Sequence, residues 1–250
     1  MSPQFEIRRL TTPQDLFQAA AEEVISSAAE AIAQRGRFTI ALSGGSTPKN
    51  LYTLIAANAS ASLPWSQVFF FWGDERDVPP TDAESNYRMA LETILSKIPI
   101  PPGNVFRIPA ENSDASAAAE MYEKTLQNFF ALKPAELPRF DLILLGMGPD
   151  GHTASLFPET AALQEESRLV VANWVEKLHT HRITLTLPVL NAAREVAFLV
   201  SGADKATVLH EVLEGHAPGE QYPSKLVRPG NGKLVWFVDR AAASELTASV

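Results

Sequence analysis

Short apolar runs that stop abruptly at glycine or at charge constrain this chain more than any other feature. They occupy residues 38–42, 68–72, 142–145, 195–201 and 234–238, each too short for a core helix. Runs of this kind are strands buried on both faces, as in a parallel sheet. Between them, apolar residues recur at helical spacing. Thr12-Pro13-Gln14-Asp15 is a helix start, followed by Leu16, Ala20, Val24, Ala28 and Ile32 and ending near Arg35-Gly36. Further helices are expected after Thr47, from Ser85-Asn86-Tyr87 to about residue 95, over 114–130, and from Lys205 to about Leu213. Shorter strands are expected at 105–108, at 169–174 and in the alternating run 182–187, with a short helix at the C-terminus. Strands alternating with helices predict an α/β fold: three αβα layers around a mostly parallel, doubly wound, Rossmann-like sheet. No linker, repeat or low-complexity tract interrupts it, so residues 1–250 are expected to form a single domain.

At 250 residues the chain buries a substantial core without a disulfide or metal staple. It has no cysteine, which removes disulfides, thiolate catalysis and thiolate metal sites and fits a reducing compartment. Met1 to Glu6 shows no basic segment leading into an apolar core, so no signal peptide is expected. No apolar run approaches the length of a bilayer span, and the cytoplasm is the expected location. A formal net charge of −8, spread along the chain, argues against nucleic acid as a partner. It leaves room for a few local cations to hold a phosphate.

Ser43-Gly44-Gly45-Ser46-Thr47-Pro48 joins a strand end to a helix start. Glycines let the backbone approach an oxyanion, and N–H groups at a helix N-terminus favour a phosphate. The same pattern also describes an ordinary βα turn, with Thr47 as N-cap and Pro48 as the first helical residue. It is neither a Walker A loop nor Gly-x-Gly-x-x-Gly, so an ATP or NAD site is not supported. The polar loop Gly73-Asp74-Glu75-Arg76-Asp77 lies beyond a strand end, either as solvated surface or as the rim of a site. Lys205 at a helix start opposes the helix dipole, a mismatch that a bound anion would offset. Arg182 opens its alternating strand.

The run 142–145 breaks into Gly146, Gly148, Pro149 and Gly151, with Asp150 and His152 one residue apart. Open α/β sheets bind ligands beyond the carboxyl ends of their strands, and the pair reads as a general-base site there. His179 and His181 are two apart, but without cysteine or His-Glu-x-x-His they do not support a zinc site. No Gly-x-Ser-x-Gly elbow occurs, so Ser155 is read as capping or packing rather than attacking.

In order along the chain stand Ser43-Gly-Gly-Ser-Thr-Pro48, Gly73-Asp-Glu-Arg76, Ser85-Asn-Tyr87, Gly146-Met-Gly-Pro-Asp-Gly-His-Thr-Ala-Ser-Leu-Phe-Pro158, Arg182-Ile-Thr-Leu-Thr-Leu-Pro188 and Gly202-Ala-Asp-Lys-Ala206. This set resembles the family of 6-phosphogluconolactonases and the related glucosamine-6-phosphate deaminases. The likeness runs from about Ile40 to Asp239, and Asp-Gly-His-Thr-Ala-Ser-Leu-Phe-Pro is its most specific motif.

The resemblance implies hydrolysis of 6-phospho-D-glucono-1,5-lactone, the second step of the oxidative pentose phosphate pathway. His152 would be the general base, with Asp74 and Arg76 on the sugar side. Ser43, Gly44, Gly45, Ser46, Thr47, Arg182 and Lys205 would hold the phosphate. Asn86, Gly148, Asp150 and Gly151 would support these groups, and the glycine N–H groups or Arg76 would meet the oxyanion. Water is the second substrate, and no metal, organic cofactor, nucleic acid or membrane is implied. Two rivals are a deaminase-isomerase and a non-catalytic sugar-phosphate binder of the same fold. The deaminase branch typically continues Asp-Gly-His with Ile-Ala-Phe-Asn-Glu-Pro, and its Glu is missing from Thr153 to Pro158.

Overall fold

The computed structural model describes residues 5–58 and 63–247. Six parallel strands build the main sheet: β1 (Phe5–Leu10), β2 (Phe38–Leu42), β3 (Val68–Trp72), β5 (Leu142–Gly146), β8 (Glu195–Val200) and β9 (Lys233–Asp239). Their spatial order is β1-β9-β8-β5-β2-β3. Residues of β2, β5 and β8 are buried on both faces almost throughout, as apolar runs of this kind require. From β2 the chain winds outward to β3, and from β5 it winds the other way to β8 and β9. The direction therefore reverses between β2 and β5, which pair side by side. That reversal opens a crevice at their carboxyl ends.

Helix α1 (Pro13–Arg35) starts from a capping box, in which the Thr12 side chain and Asp15 satisfy each other's backbone N–H groups. It stops at Gly36, whose φ of 74° is the left-handed value a helix end requires. It packs on β2 and β9, and α2 (Ser46–Asn58) packs beside it against β5 and β8. On α4 (Ala115–Phe130), Phe129 and Phe130 join Phe71 of β3 and Phe140 in a cluster of tilted and edge-on rings. Phe71 and Phe140 belong to one contiguous buried core, against which the half-buried Phe129 and Phe130 pack.

Several elements depart from expectation. Edge strand β1 carries Arg8 and Arg9 on a partly exposed surface, so it has no continuous apolar run to betray it. Asp74–Arg76 is a strand, β4, rather than a loop. It pairs antiparallel with β7 (Thr180–Leu185), which pairs with β6 (Val170–Val175), making a separate three-stranded sheet. The alternating run ends at Leu185, and α5 (Leu187–Ala192) follows with Pro188 in its first turn. Residues 105–108 form only a bridge between Phe70 and Val105; farther along β3 the Tyr122 hydroxyl accepts from the N–H of Trp72 and donates to its carbonyl. The expected helix at 85–95 divides into α3 (Asn86–Ala90) and a π-helical turn, Leu91–Leu95. A short 3₁₀ turn precedes α6 (Ala206–Leu213), and residues 240–245 are turns rather than a helix.

At the opposite end of the sheet from the crevice, two carboxyl groups meet. Lys233 bonds Glu23 at 2.6 Å and stands 3.7 Å from Glu195, and Ser27 donates to Glu195. Burial and the neighbouring Glu23 carboxylate push Glu195 up to about 7. Glu23 is lowered: burial opposes its charge, but hydrogen bonds to Glu195, Lys233 and Arg8 outweigh it. The folded state thus holds a proton on Glu195 that the unfolded chain releases in the ordinary carboxylate range. The stability from this group is complete at low pH and falls as pH rises through about 7. Glu195→Gln, which imitates the protonated form, should raise Tm by roughly 2–4 °C at pH 8 and hardly at all at pH 5. Thermal melts at the two pH values decide it, since an equal gain at both would show that no proton is held.

Candidate active site

The loop after β2 is held from beneath. The buried Tyr52 hydroxyl of α2 accepts from the Ser43 N–H at 3.0 Å and donates to the Ser43 carbonyl at 2.9 Å. Gly44 is required because a Cβ there would stand 1.9 Å from the Asn86 side-chain oxygen. Gly45 turns the chain with φ of 104°. Helix α2 then begins at Ser46, earlier than expected, so Thr47 is a first-turn residue and not the N-cap. Its first turn presents backbone N–H groups toward the crevice, the arrangement that binds anions. The Ser43 hydroxyl is buried and has no hydrogen-bond partner among the described residues. Lys205 ends the 3₁₀ turn before α6, its side chain only 21% exposed and 3.3 Å from Asp204.

Gly73 is the corner at which one strand changes sheets. Its N–H donates to Leu42 of the main sheet, and its carbonyl accepts from Leu185 of the small one. Next, the buried Glu75 carboxylate accepts from the N–H groups of Arg76, Asn86 and Tyr87 and from the Ser85 hydroxyl, at 2.7–3.1 Å. Burial pushes this acid up against the pull of those bonds. Glu75 thereby caps α3, which has no acid in its own first turn. Asn86, so placed, donates to the Asp74 carbonyl at 3.0 Å and packs against Gly44. Asp74 accepts from the Ser155 hydroxyl at 2.7 Å, which gives Ser155 a supporting contact rather than a nucleophile's freedom.

The loop after β5 carries the acid and imidazole. His152 curls over Gly148, where a Cβ would lie 2.0 Å from its Nδ1. Gly151, with φ of 75°, packs directly on Tyr222. Asp150 Oδ1 stands 2.5 Å from His152 Nδ1, and Lys177 pairs with Oδ2. Burial resists ionisation of Asp150, but the bonds to His152 and Lys177 win and hold it well below the usual carboxylate range. An ionised carboxylate only accepts, so Nδ1 carries the imidazole proton and Nε2 presents its lone pair. The ring stacks on Phe157, with centroids 4.1 Å apart.

These loops enclose a cavity of about 210 Å³. Of the residues singled out in the sequence, Ser43, Gly44, Gly45, Ser46, Thr47, Asp74, Arg76, Gly148, His152 and Lys205 line it. Asn86, Asp150 and Gly151 stand behind the lining. Arg182 does not reach the wall: it faces Arg76 across the β4–β7 pair, and burial followed by that neighbouring guanidinium lowers its pKa. Sequence reading passed over Met147, Ala154 and Ser201 in the wall, and Glu75 behind it. For Glu75 one signal was present, a Ser85-Asn86 helix start with no acid of its own. His181 sits edge-on to Trp174, and no cluster of three or more His, Asp or Glu suited to a metal occurs among the described residues.

The family model of glucosamine-6-phosphate isomerases/6-phosphogluconolactonase matches residues 11–236. The chain belongs to that family. A 6-phosphogluconolactonase of a Nostoc species is 44% identical over 93% of this chain and 94% of its own length. One from a Synechocystis species is 43% identical over 98% and 99%. Among solved structures, 6-phosphogluconolactonase from Trypanosoma cruzi superposes with a TM-score of 0.90 at 33% identity, covering 99% of each chain.

Removing the Glu75 carboxylate strands three buried or half-buried backbone N–H groups and a buried hydroxyl. Glu75→Ala should therefore lower the unfolding free energy by roughly 2–4 kcal/mol. Urea denaturation measures this, and a loss below about 1 kcal/mol would mean that α3 and Asn86 are held by something else.

Proposed function

We propose that this chain is a 6-phosphogluconolactonase, hydrolysing 6-phospho-D-glucono-1,5-lactone to 6-phospho-D-gluconate in the oxidative pentose phosphate pathway. The observation that carries the reading is that His152, Arg76 and an anion-binding loop with Lys205 share one cavity. The phosphate sits on the first turn of α2 and the Ser43–Thr47 loop, neutralised by Lys205. The lactone C1 then lies toward His152 and Arg76. Arg182 reinforces the positive field through its place beside Arg76.

His152 Nε2 takes a proton from water as the water oxygen bonds to C1, and the carbonyl electrons move onto oxygen. Arg76 and the N–H groups around Gly148 stabilise that oxyanion. Collapse restores the carbonyl and breaks the bond from C1 to the ring oxygen, which takes the proton back from the imidazolium. Asp74, fixed by Ser155 and Asn86, orients a sugar hydroxyl. Phe157 stands where the deaminase branch carries its Glu, and it packs against the imidazole instead of offering a second acid. Among the two rivals, this disfavours amino-sugar isomerisation. The paired, oriented imidazole disfavours a passive binder. The proposed setting is the cytoplasm, supported by the cysteine-free sequence. No described helix is long and apolar enough to cross a membrane.

His152→Ala should lower kcat on the lactone by roughly 100-fold or more while phosphosugar binding stays within a few-fold. Lys205→Ala should raise KM by about 10-fold, with a smaller fall in kcat. A lactonase assay corrected for spontaneous hydrolysis, with glucosamine 6-phosphate deamination as control, tests both. Nearly full activity in His152→Ala would remove this residue from the chemistry.

A further inference from the structure

Lys177 lies on the short turn Glu176–Leu178 that joins β6 to β7, far in sequence from the loop after β5. Its ammonium nevertheless reaches both groups that touch the His152 ring. It pairs with Asp150 Oδ2, whose companion oxygen meets His152 Nδ1. It also stands over the Phe157 ring, 4.6 Å from the centroid, and the imidazole stacks on that same ring. Lys177 is not part of the cavity wall. Its side chain is 52% exposed, and an ion pair this open to solvent contributes little to folding.

We propose that Lys177 is a positioning residue for His152, acting through the Asp150 carboxylate and the Phe157 ring. This rests on the lactonase reading for its kinetic consequence but not for its geometry. Among the described residues, Asp150 Oδ2 has no other cationic partner. Without the ammonium the carboxylate is free to turn toward water, and Nδ1 loses the acceptor that selects its tautomer. Phe157 loses its cation–π contact at the same moment. The imidazole then samples orientations in which Nε2 no longer faces the substrate. Proximity contributions to rate are steep in such displacements. Phosphate binding, which uses loops on the main sheet, is untouched.

The test uses four variants of the full chain: Lys177→Met, Lys177→Arg, Asp150→Ala and the double variant Asp150→Ala/Lys177→Met. Lys177→Met should lower kcat by about 5- to 20-fold, with KM within 2-fold and Tm within about 2 °C of the parent. Lys177→Arg should recover most of the loss, because a guanidinium also bonds a carboxylate and stacks on an aromatic face. In the Asp150→Ala background, Lys177→Met should change kcat by less than about 2-fold. An unchanged kcat in Lys177→Met, a rise in KM instead, or a full effect that persists without Asp150 would each overturn the proposal. Imidazole ¹⁵N spectra give a reading free of turnover: a single Nδ1–H tautomer for His152 in the parent, and a mixture in Lys177→Met. A parent that shows this tautomer and its loss but hydrolyses no lactone would sink the lactonase reading and leave the positioning role standing. An identical tautomer in both would sink the positioning role.

Discussion

Parallel pairing of β2, β5 and β8 is the constraint on which the rest of this molecule depends. Strands that run the same way deliver all their C-terminal loops to one edge, and the reversal of winding between β2 and β5 leaves a gap there. Into that gap the three strands send a glycine turn with a helix start, an acid-imidazole turn, and the segment that ends in Lys205. Each loop is short, so none can wander far from its strand. The buried side chains beneath, Tyr52 above all, convert strand position into loop position.

Charge is then distributed with little waste. Three carboxylates around the cavity have defined donors: Glu75 three N–H groups and a hydroxyl, Asp74 the Ser155 hydroxyl, Asp150 an imidazole and an ammonium. Arg76 and Arg182 stand opposite each other on their paired strands, with the carboxylates of Asp74, Glu84 and Glu75 near enough to act on Arg182. Two guanidiniums in that position raise the local potential, which an incoming phosphosugar lowers. The site is thus electrostatically poised for an anion even though the whole chain is acidic.

Much of this was legible in the sequence, and the reasons for the exceptions are physical. Residues 38–42, 68–72 and 142–145 announce their strands because both faces are buried almost throughout and every side chain but Thr39 is apolar. β1 has one half-exposed face and β4 is three charged residues, so neither carries that signature. α5 was concealed by the alternating strand before it, although Thr186 and Pro188 are ordinary helix-start residues. The sequence reads the glycines at 44, 148 and 151 as places for a turn or for a ligand's approach; the groups that crowd them, Asn86, His152 and Tyr222, are a tertiary fact. Lys177 gave no local sign, since its partner is 27 residues away and on the other sheet.

Gly73 divides the work between two sheets. The loops proposed to hold the phosphate and the proposed base ride on the main sheet, whereas Asp74, Arg76, Arg182 and Lys177 ride on the three-stranded ribbon that branches from it. One backbone corner, with one hydrogen bond to each sheet, joins them, and the bonds of Asp74 to Ser155 and of Lys177 to Asp150 tie the ribbon to the loop after β5. A family built this way inherits its anchor and its sugar-facing wall as separate modules. On the proposed assignment of the site, substitutions in the ribbon would re-aim the ring over an unchanged phosphate grip, leaving substrate range and phosphate affinity free to diverge independently.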